Sequence, residues 1–124
     1  MRKAGMQRFT APEERYARMT SMPRKSPTPA LSGAAATAHR AIQNEARLGI
    51  LHFLLRAGTA TRADIAAGTG LTVSTALVAL RDLEQAGYLT TNVEGDRAGR
   101  RVEYSIDRQR VTADLFDFMG WLLG

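Results

Sequence analysis

The chain contains no cysteine, and only two of its 17 basic residues are lysine, Lys3 and Lys25. Without a thiol it forms no disulfide framework, thiolate zinc site, iron–sulfur cluster or thiol redox switch, and thiol-based metal sensing is excluded with them. Histidine is nearly absent too: His39 and His52 are the only two, without a companion carboxylate at helical spacing, so neither a metal site nor any other cofactor is expected. No apolar run approaches the ~20 residues of a membrane-spanning helix. The start, Met1-Arg-Lys-Ala-Gly-Met-Gln-Arg8, lacks the apolar stretch of a secretion signal, which predicts a cytosolic protein with no membrane partner. There is no Ser/His/Asp order, paired acidic motif or phosphate-binding glycine loop. Gly68-Thr-Gly70 reads as a turn and Gly95-Asp-Arg-Ala-Gly99 as part of a hairpin, so no enzyme is expected.

What is present is 124 residues, 44% hydrophobic and 23% charged, enough for one core. The arginine bias in an alanine-rich chain reads as the codon usage of a GC-rich, bacterial genome. The net charge of +5 points toward nucleic acid or another acidic surface, but it is unevenly spread. Residues 1–38 hold seven basic side chains against Glu13 and Glu14, whereas residues 39–124 hold ten of each sign. All four prolines and four of the five methionines also fall in 1–38, where the other large apolar side chains are Phe9, Tyr16 and Leu31. So little apolar surface does not offset the entropy of ordering. Residues 1–33 therefore read as a basic, Pro-rich, flexible arm, with a turn or two of helix around 11–19 and linker composition in Met22-Pro-Arg-Lys-Ser-Pro-Thr-Pro29. The arm either follows phosphates or a minor groove, or is a leader without a role. Residues 34–124 read as the folded domain.

Helix formers begin at Ala34 and predict a first helix at about 34–43. Asn44-Glu-Ala-Arg47 is a cap with an acidic first turn, opening a second helix at about 45–56 that Ala57-Gly58 ends. Thr61 with Asp64 repeats the signal and opens a short helix stopping at Gly68. After a tight turn, Thr72 caps a longer helix that runs through Ala86 and is closed by Gly87. Two helices joined by a short glycine-containing turn make a helix-turn-helix candidate. Tyr88-Leu-Thr-Thr-Asn-Val93 and Arg101-Val-Glu-Tyr-Ser-Ile106 read as a hairpin around the basic tip Glu94-Gly-Asp-Arg-Ala-Gly-Arg100, before a last helix at about 112–123. The expected fold is mainly α with a small β-hairpin.

That element order, with Gly70-Leu-Thr-Val-Ser-Thr-Ala-Leu-Val-Ala-Leu-Arg-Asp-Leu-Glu-Gln-Ala-Gly-Tyr-Leu89, resembles a bacterial winged helix-turn-helix domain of the ArsR and MarR repressor families; the DNA-binding module of the IclR family is also similar. The resemblance covers roughly 43–106 and rests on Leu71, Ser74-Thr75, Leu80, Leu83, Gly87 and Leu89, with Ile65-Ala66 upstream. It implies a recognition helix from Val73 to Ala86, a wing carrying Arg97, Arg100 and Arg101, and a dimer built from the terminal helices.

Helical geometry sharpens these roles. At about 100° per residue, Ala76, Leu80 and Leu83 fall on one stripe with Ala79 beside them, and Ser74, Val78, Arg81 and Gln85 lie opposite. Ser74 and Arg81 suit phosphates or base edges, Val78 suits a thymine methyl, and Thr72, Val73 and Thr75 stand at the helix start, which favours phosphate. Winged-helix repressors commonly carry polar or aromatic side chains where this chain has Leu77 and Val78, so either apolar contacts and DNA shape supply specificity or part of this face binds protein. Glu94 and Asp96 reduce the wing to about +1, which leaves a solvated loop as the alternative there. In the last helix Val111, Leu115, Phe118 and Leu122 share a stripe, and Phe116, Met119 and Leu123 widen the apolar arc to about 160°, more than one packing face requires. Asp114 and Asp117 mark its exposed side, with Trp121 toward them at the rim. Leu115, Phe116, Phe118, Met119, Leu122 and Leu123 are thus the expected dimer interface. The sequence predicts a homodimeric repressor of double-stranded DNA. The alternative is a winged-helix interaction module that acts on a regulatory protein.

Overall fold

The computed structural model describes residues 29–124, of which Leu31–Gly124 form one compact unit. The readings that concern residues 1–28 of the N-terminal arm lie outside the described residues. The unit begins with α1 (Gly33–Ile42), whose inward side is alanine throughout: Ala35, Ala38 and Ala41. Side chains this small let another helix approach closely, and the C-terminal helix α5 (Arg108–Leu123) lies along it.

Each remaining helix starts where a short polar side chain satisfies a free N–H. Asn44 accepts from the Arg47 N–H at 2.9 Å and opens α2 (Glu45–Ala57). Thr61 accepts from Asp64 at 3.2 Å and opens α3 (Arg62–Thr69). Thr72 accepts from Thr75 at 3.2 Å and opens α4 (Val73–Gln85). Asp107 accepts from Arg110 at 3.1 Å and starts α5 one turn before the expected position. The turn Gly70-Leu71-Thr72 bends the axes of α3 and α4 by 111°, within the usual helix-turn-helix range.

α3 does not stop at Gly68, as the sequence suggested. It runs on to Thr69, and Gly70, left-handed at φ 77°, closes it. Gly68 serves packing instead. A Cβ there would stand 2.2 Å from the Phe53 ring of α2, so the absent side chain lets α2 and α3 touch.

The sheet has three strands in place of the expected two. β1 (Thr59–Thr61), β2 (Leu89–Thr91) and β3 (Glu103–Ile106) pair antiparallel in the order β1-β3-β2, with Ala60 and Thr91 both opposite Tyr104. Beneath it the core gathers Ile50, Leu51 and Leu54 of α2, Ile65 of α3, Leu80 and Leu83 of α4, and Tyr88, Val102, Tyr104 and Val111. Burying each of the larger aliphatic side chains contributes about 1.5–3 kcal/mol. The expected stripe Ala76, Ala79, Leu80, Leu83 is buried throughout. The outward side of α4 is thereby fixed toward solvent.

Asp114 is a correction to the sequence reading. It does not mark the exposed side of the last helix but is 6% exposed, the one buried polar or charged side chain among the described residues. It accepts a 2.8 Å hydrogen bond from the Tyr88 hydroxyl, which satisfies both groups inside the core. The inward stripe of α5 is Val111, Asp114, Leu115 and Phe118.

Candidate nucleic-acid interface

Ser74, Val78, Arg81 and Gln85 stand exposed on α4, and Thr72, Val73 and Thr75 are exposed at its start. Every recognition-helix residue expected from the sequence therefore lies on the solvent side. The Thr72 hydroxyl also donates to Thr75 Oγ1 at 2.9 Å, so the threonines order the helix start as a unit. Below them, Ser74, Thr75 and Val78 form one wall of a shallow groove whose other wall is Asn44, Ala46 and Arg47. Arg47 holds that wall in place. It donates to the Arg40 carbonyl through Nε at 3.1 Å and Nη2 at 2.8 Å, and its Nη1 meets Asp82 of α4 at 3.1 Å. The pose of α4 is thus tied to the end of α1.

The wing between β2 and β3 is braced along its length. At its base Asn92 accepts from the Glu103 N–H at 2.8 Å and donates to the Arg101 carbonyl at 3.3 Å. At the tip Asp96 accepts from the Ala98 N–H at 3.0 Å and the Arg97 carbonyl accepts from the Arg100 N–H at 3.1 Å, with left-handed Gly95 and Gly99 making the bends. The three wing arginines divide. Arg100 is exposed, and Arg101 is exposed with a loose 3.6 Å pair to Glu103. Arg97 folds back onto α4, where Nη1 and Nη2 meet the two carboxylate oxygens of Glu84 at 3.2 and 2.5 Å and Nη2 also reaches Thr91 Oγ1 at 3.3 Å. The hydrogen bond to Glu84 raises the Arg97 pKa above its ordinary value.

Arg62, which the sequence reading passed over, lines the cleft between α4 and the sheet with Leu77, Arg81, Glu84, Arg97 and Tyr104. Its only local signal is that it follows the capping Thr61. The neighbours that give it meaning arrive later in the chain. Leu77 turns partly into this cleft and is less open to a partner than Val78.

At the other end of the unit, the six expected interface residues fall into two groups. Leu115 and Phe118 are half-buried toward the chain's own core, and Phe118 stacks on His39 with ring centroids 5.4 Å apart. Phe116, Met119, Leu122 and Leu123 are 65%, 46%, 60% and 79% exposed. Burial, together with the Asp114 hydrogen bond and charge, pushes the Tyr88 phenol pKa well above its ordinary value. Among the described residues no three His, Asp or Glu side chains gather to hold a metal ion, and no single helix is long and apolar enough to cross a membrane.

Residues 43–90 match the family model for winged helix-turn-helix DNA-binding domains. No curated protein matches the chain. Among solved structures, a possible transcriptional regulatory protein from Mycobacterium bovis (fragment 1–100) is 31% identical, with a TM-score of 0.52 over 73% of this chain and 90% of that one. The solution structure of the homodimeric winged helix-turn-helix domain Mb0332 from Mycobacterium bovis, a possible ArsR-family regulator, is 28% identical, with a TM-score of 0.53 over 82% of this chain and 89% of that one. The antimony-specific transcriptional repressor AntR shares the fold at 20% identity, with a TM-score of 0.55 over 80% and 90%. The chain belongs to the winged helix-turn-helix DNA-binding family, and its solved structural neighbours include ArsR-family transcriptional regulators.

Proposed function

We propose that the protein is a homodimeric, sequence-specific repressor that docks α4 in the major groove of each half-site, lays the wing along the adjacent phosphates and blocks a promoter. The observation that carries this reading is the outward face of α4. Ser74, Val78 and Arg81 stand exposed above a fully buried stripe, at a helix start ordered by Thr72 and Thr75. Arg81 supplies the strong base-edge or phosphate donor, Ser74 a hydroxyl, and Val73 and Val78 apolar contact with thymine methyls. From the wing, Arg100 and Arg101 are available to phosphate. Dimerisation is supported by the uncovered apolar side of α5 and by the homodimeric state of the Mycobacterium bovis neighbour. Repression by occlusion needs nothing beyond tight binding over a promoter, and AntR, of the same fold, is named a repressor.

The test is an unbiased selection of bound duplexes, run on the full chain and on residues 31–124. The expected outcome is a palindrome recovered by both, with half-sites about one helical turn apart. In the selected site Arg81→Ala should cost about 1–3 kcal/mol and relax preference at one position, whereas Arg100→Ala should weaken all sequences alike and lower the salt slope by about one. A second reading is favoured by the exposure of Val73 and Val78, at 62% and 56%: a protein-docking module that acts on another regulator. Recovery of no preferred sequence, together with loss of all DNA affinity on removing residues 1–30, would replace the first reading with the second.

A further inference from the structure

The wing carries three arginines, but their surroundings assign them different tasks. Arg97 alone makes a two-point contact, its guanidinium fork closing on both oxygens of Glu84 at 3.2 and 2.5 Å, with Thr91 completing the cradle at 3.3 Å. We propose that Arg97 is a positioning residue that pins the wing to the end of α4 and presents Arg100 to DNA, and that it is not itself a phosphate contact. The inference rests on the DNA-reading role proposed above for α4 and the wing.

Two physical arguments support it. The first is the cost of the alternative. Were Arg97 to leave Glu84 for a phosphate, the Glu84 carboxylate would lose its ion pair on the helix proposed to enter the groove, close to a polyanion, and like charges repel. Keeping the pair cancels that charge. The second is connectivity. The Arg97 carbonyl accepts the Arg100 N–H at 3.1 Å, so anchoring the Arg97 side chain also orients the tip that carries Arg100. A fork held at two points fixes direction as well as distance. A lysine would not replace it, because an ammonium is a point charge.

The experiment measures affinity for the selected duplex as a function of salt for the native chain, Arg97→Ala, Arg97→Glu, Arg100→Ala and the charge swap Glu84→Arg/Arg97→Glu. It also measures backbone amide order across residues 95–101 by NMR relaxation in the free protein. Arg97→Ala should weaken binding about two- to fivefold, the range of a partly exposed ion pair, with no change in salt slope. Arg97→Glu should weaken it further, and the swap should return affinity to within about twofold of native. In the free protein, wing order should fall in Arg97→Ala and recover in the swap. A slope flattened by about 0.9 in Arg97→Ala, as loss of one phosphate contact gives, would overturn the proposal, as would a swap that fails to rescue. Unchanged wing order in Arg97→Ala would overturn it without reference to DNA. Arg100→Ala separates the two questions. If neither it nor the native chain shows salt-dependent DNA binding, the DNA-reading role fails, while the wing-order measurement still decides whether Arg97 is the pin.

Discussion

Two helical glycines illustrate how far a single side chain's effect depends on what faces it. Gly49 of α2 and Gly68 of α3 both sit inside helices, where glycine is about 1 kcal/mol worse than alanine. A Cβ at Gly49 would meet nothing within 4 Å, but one at Gly68 would lie 2.2, 2.6 and 3.0 Å from three atoms of the Phe53 ring. Gly49→Ala should therefore stabilise the protein by about 0.5–1 kcal/mol, since only the backbone entropy term changes. Gly68→Ala gains the same propensity but must push the ring aside, and overpacking costs about 1–3 kcal/mol, so a net loss is expected. Urea denaturation of both variants checks the opposite signs. A Gly68→Ala protein as stable as the native one would mean that Phe53 turns away freely.

At the scale of elements, the joint between α4 and α5 concentrates the polar interior. The turn after α4 is closed by the Gly87 and Tyr88 N–H groups, which donate to Glu84 and Leu83 carbonyls at 3.0 Å each. The same turn is fastened to α5 twice: the Asp107 N–H donates to the Tyr88 carbonyl at 2.8 Å, and the Tyr88 hydroxyl donates to Asp114 at 2.8 Å. Tyr88→Phe leaves the buried Asp114 carboxylate with Arg110 alone, at 3.9 Å, and should cost about 1.5–3 kcal/mol by urea denaturation. The phenol also sets an alkaline limit. Its pKa is raised in the folded state, so the protonated phenol's contribution is complete below the unfolded value of about 10 and is lost as pH climbs above it toward the folded value. Native stability should fall above about pH 10, and Tyr88→Phe should remove that part of the fall.

The same elements separate what the sequence made legible from what it did not. Asn44, Thr61 and Thr72 could be read as caps because a cap and its recipient N–H lie three residues apart, and the buried stripe of α4 because helical period places it. β1 was missed because Thr59-Ala-Thr61 is a strand only through pairing with β3, some 44 residues later. Asp114 was misread because an aspartate on a helix ordinarily faces water, and its partner Tyr88 comes 26 residues earlier. Within the candidate site the outward face of α4 was legible. Arg62 was not, nor was the Glu84 contact that sets Arg97 apart from its two neighbours, since both depend on the hairpin folding back against α4.

At the scale of the whole molecule, the proposed dimer turns on how the last helix spends its apolar arc. The inward stripe of Val111, Leu115 and Phe118 is covered by the chain's own core and by α1, with the His39–Phe118 stack sealing the outer end. Phe116, Met119 and Leu123 point away from that stripe, and Leu122, though in line with it, lies beyond the core's reach and is 60% exposed. A monomer that left these four side chains in water would forgo several kcal/mol of burial, which a two-fold partner recovers by covering the same patch on both chains. The double variant Phe116→Glu/Met119→Glu places two charges in the centre of that patch without touching the monomer's core. It should sediment as a monomer at concentrations where the native chain sediments as a dimer, with its urea midpoint extrapolated to low protein concentration unchanged. On a duplex carrying both half-sites its affinity should drop by at least tenfold, while on a single half-site the two proteins should bind alike, because the α4 face and the wing are intact. A double variant that remains dimeric would place the interface elsewhere, and one that also loses half-site binding would mean that α5 supports the reading of DNA directly and not only through pairing.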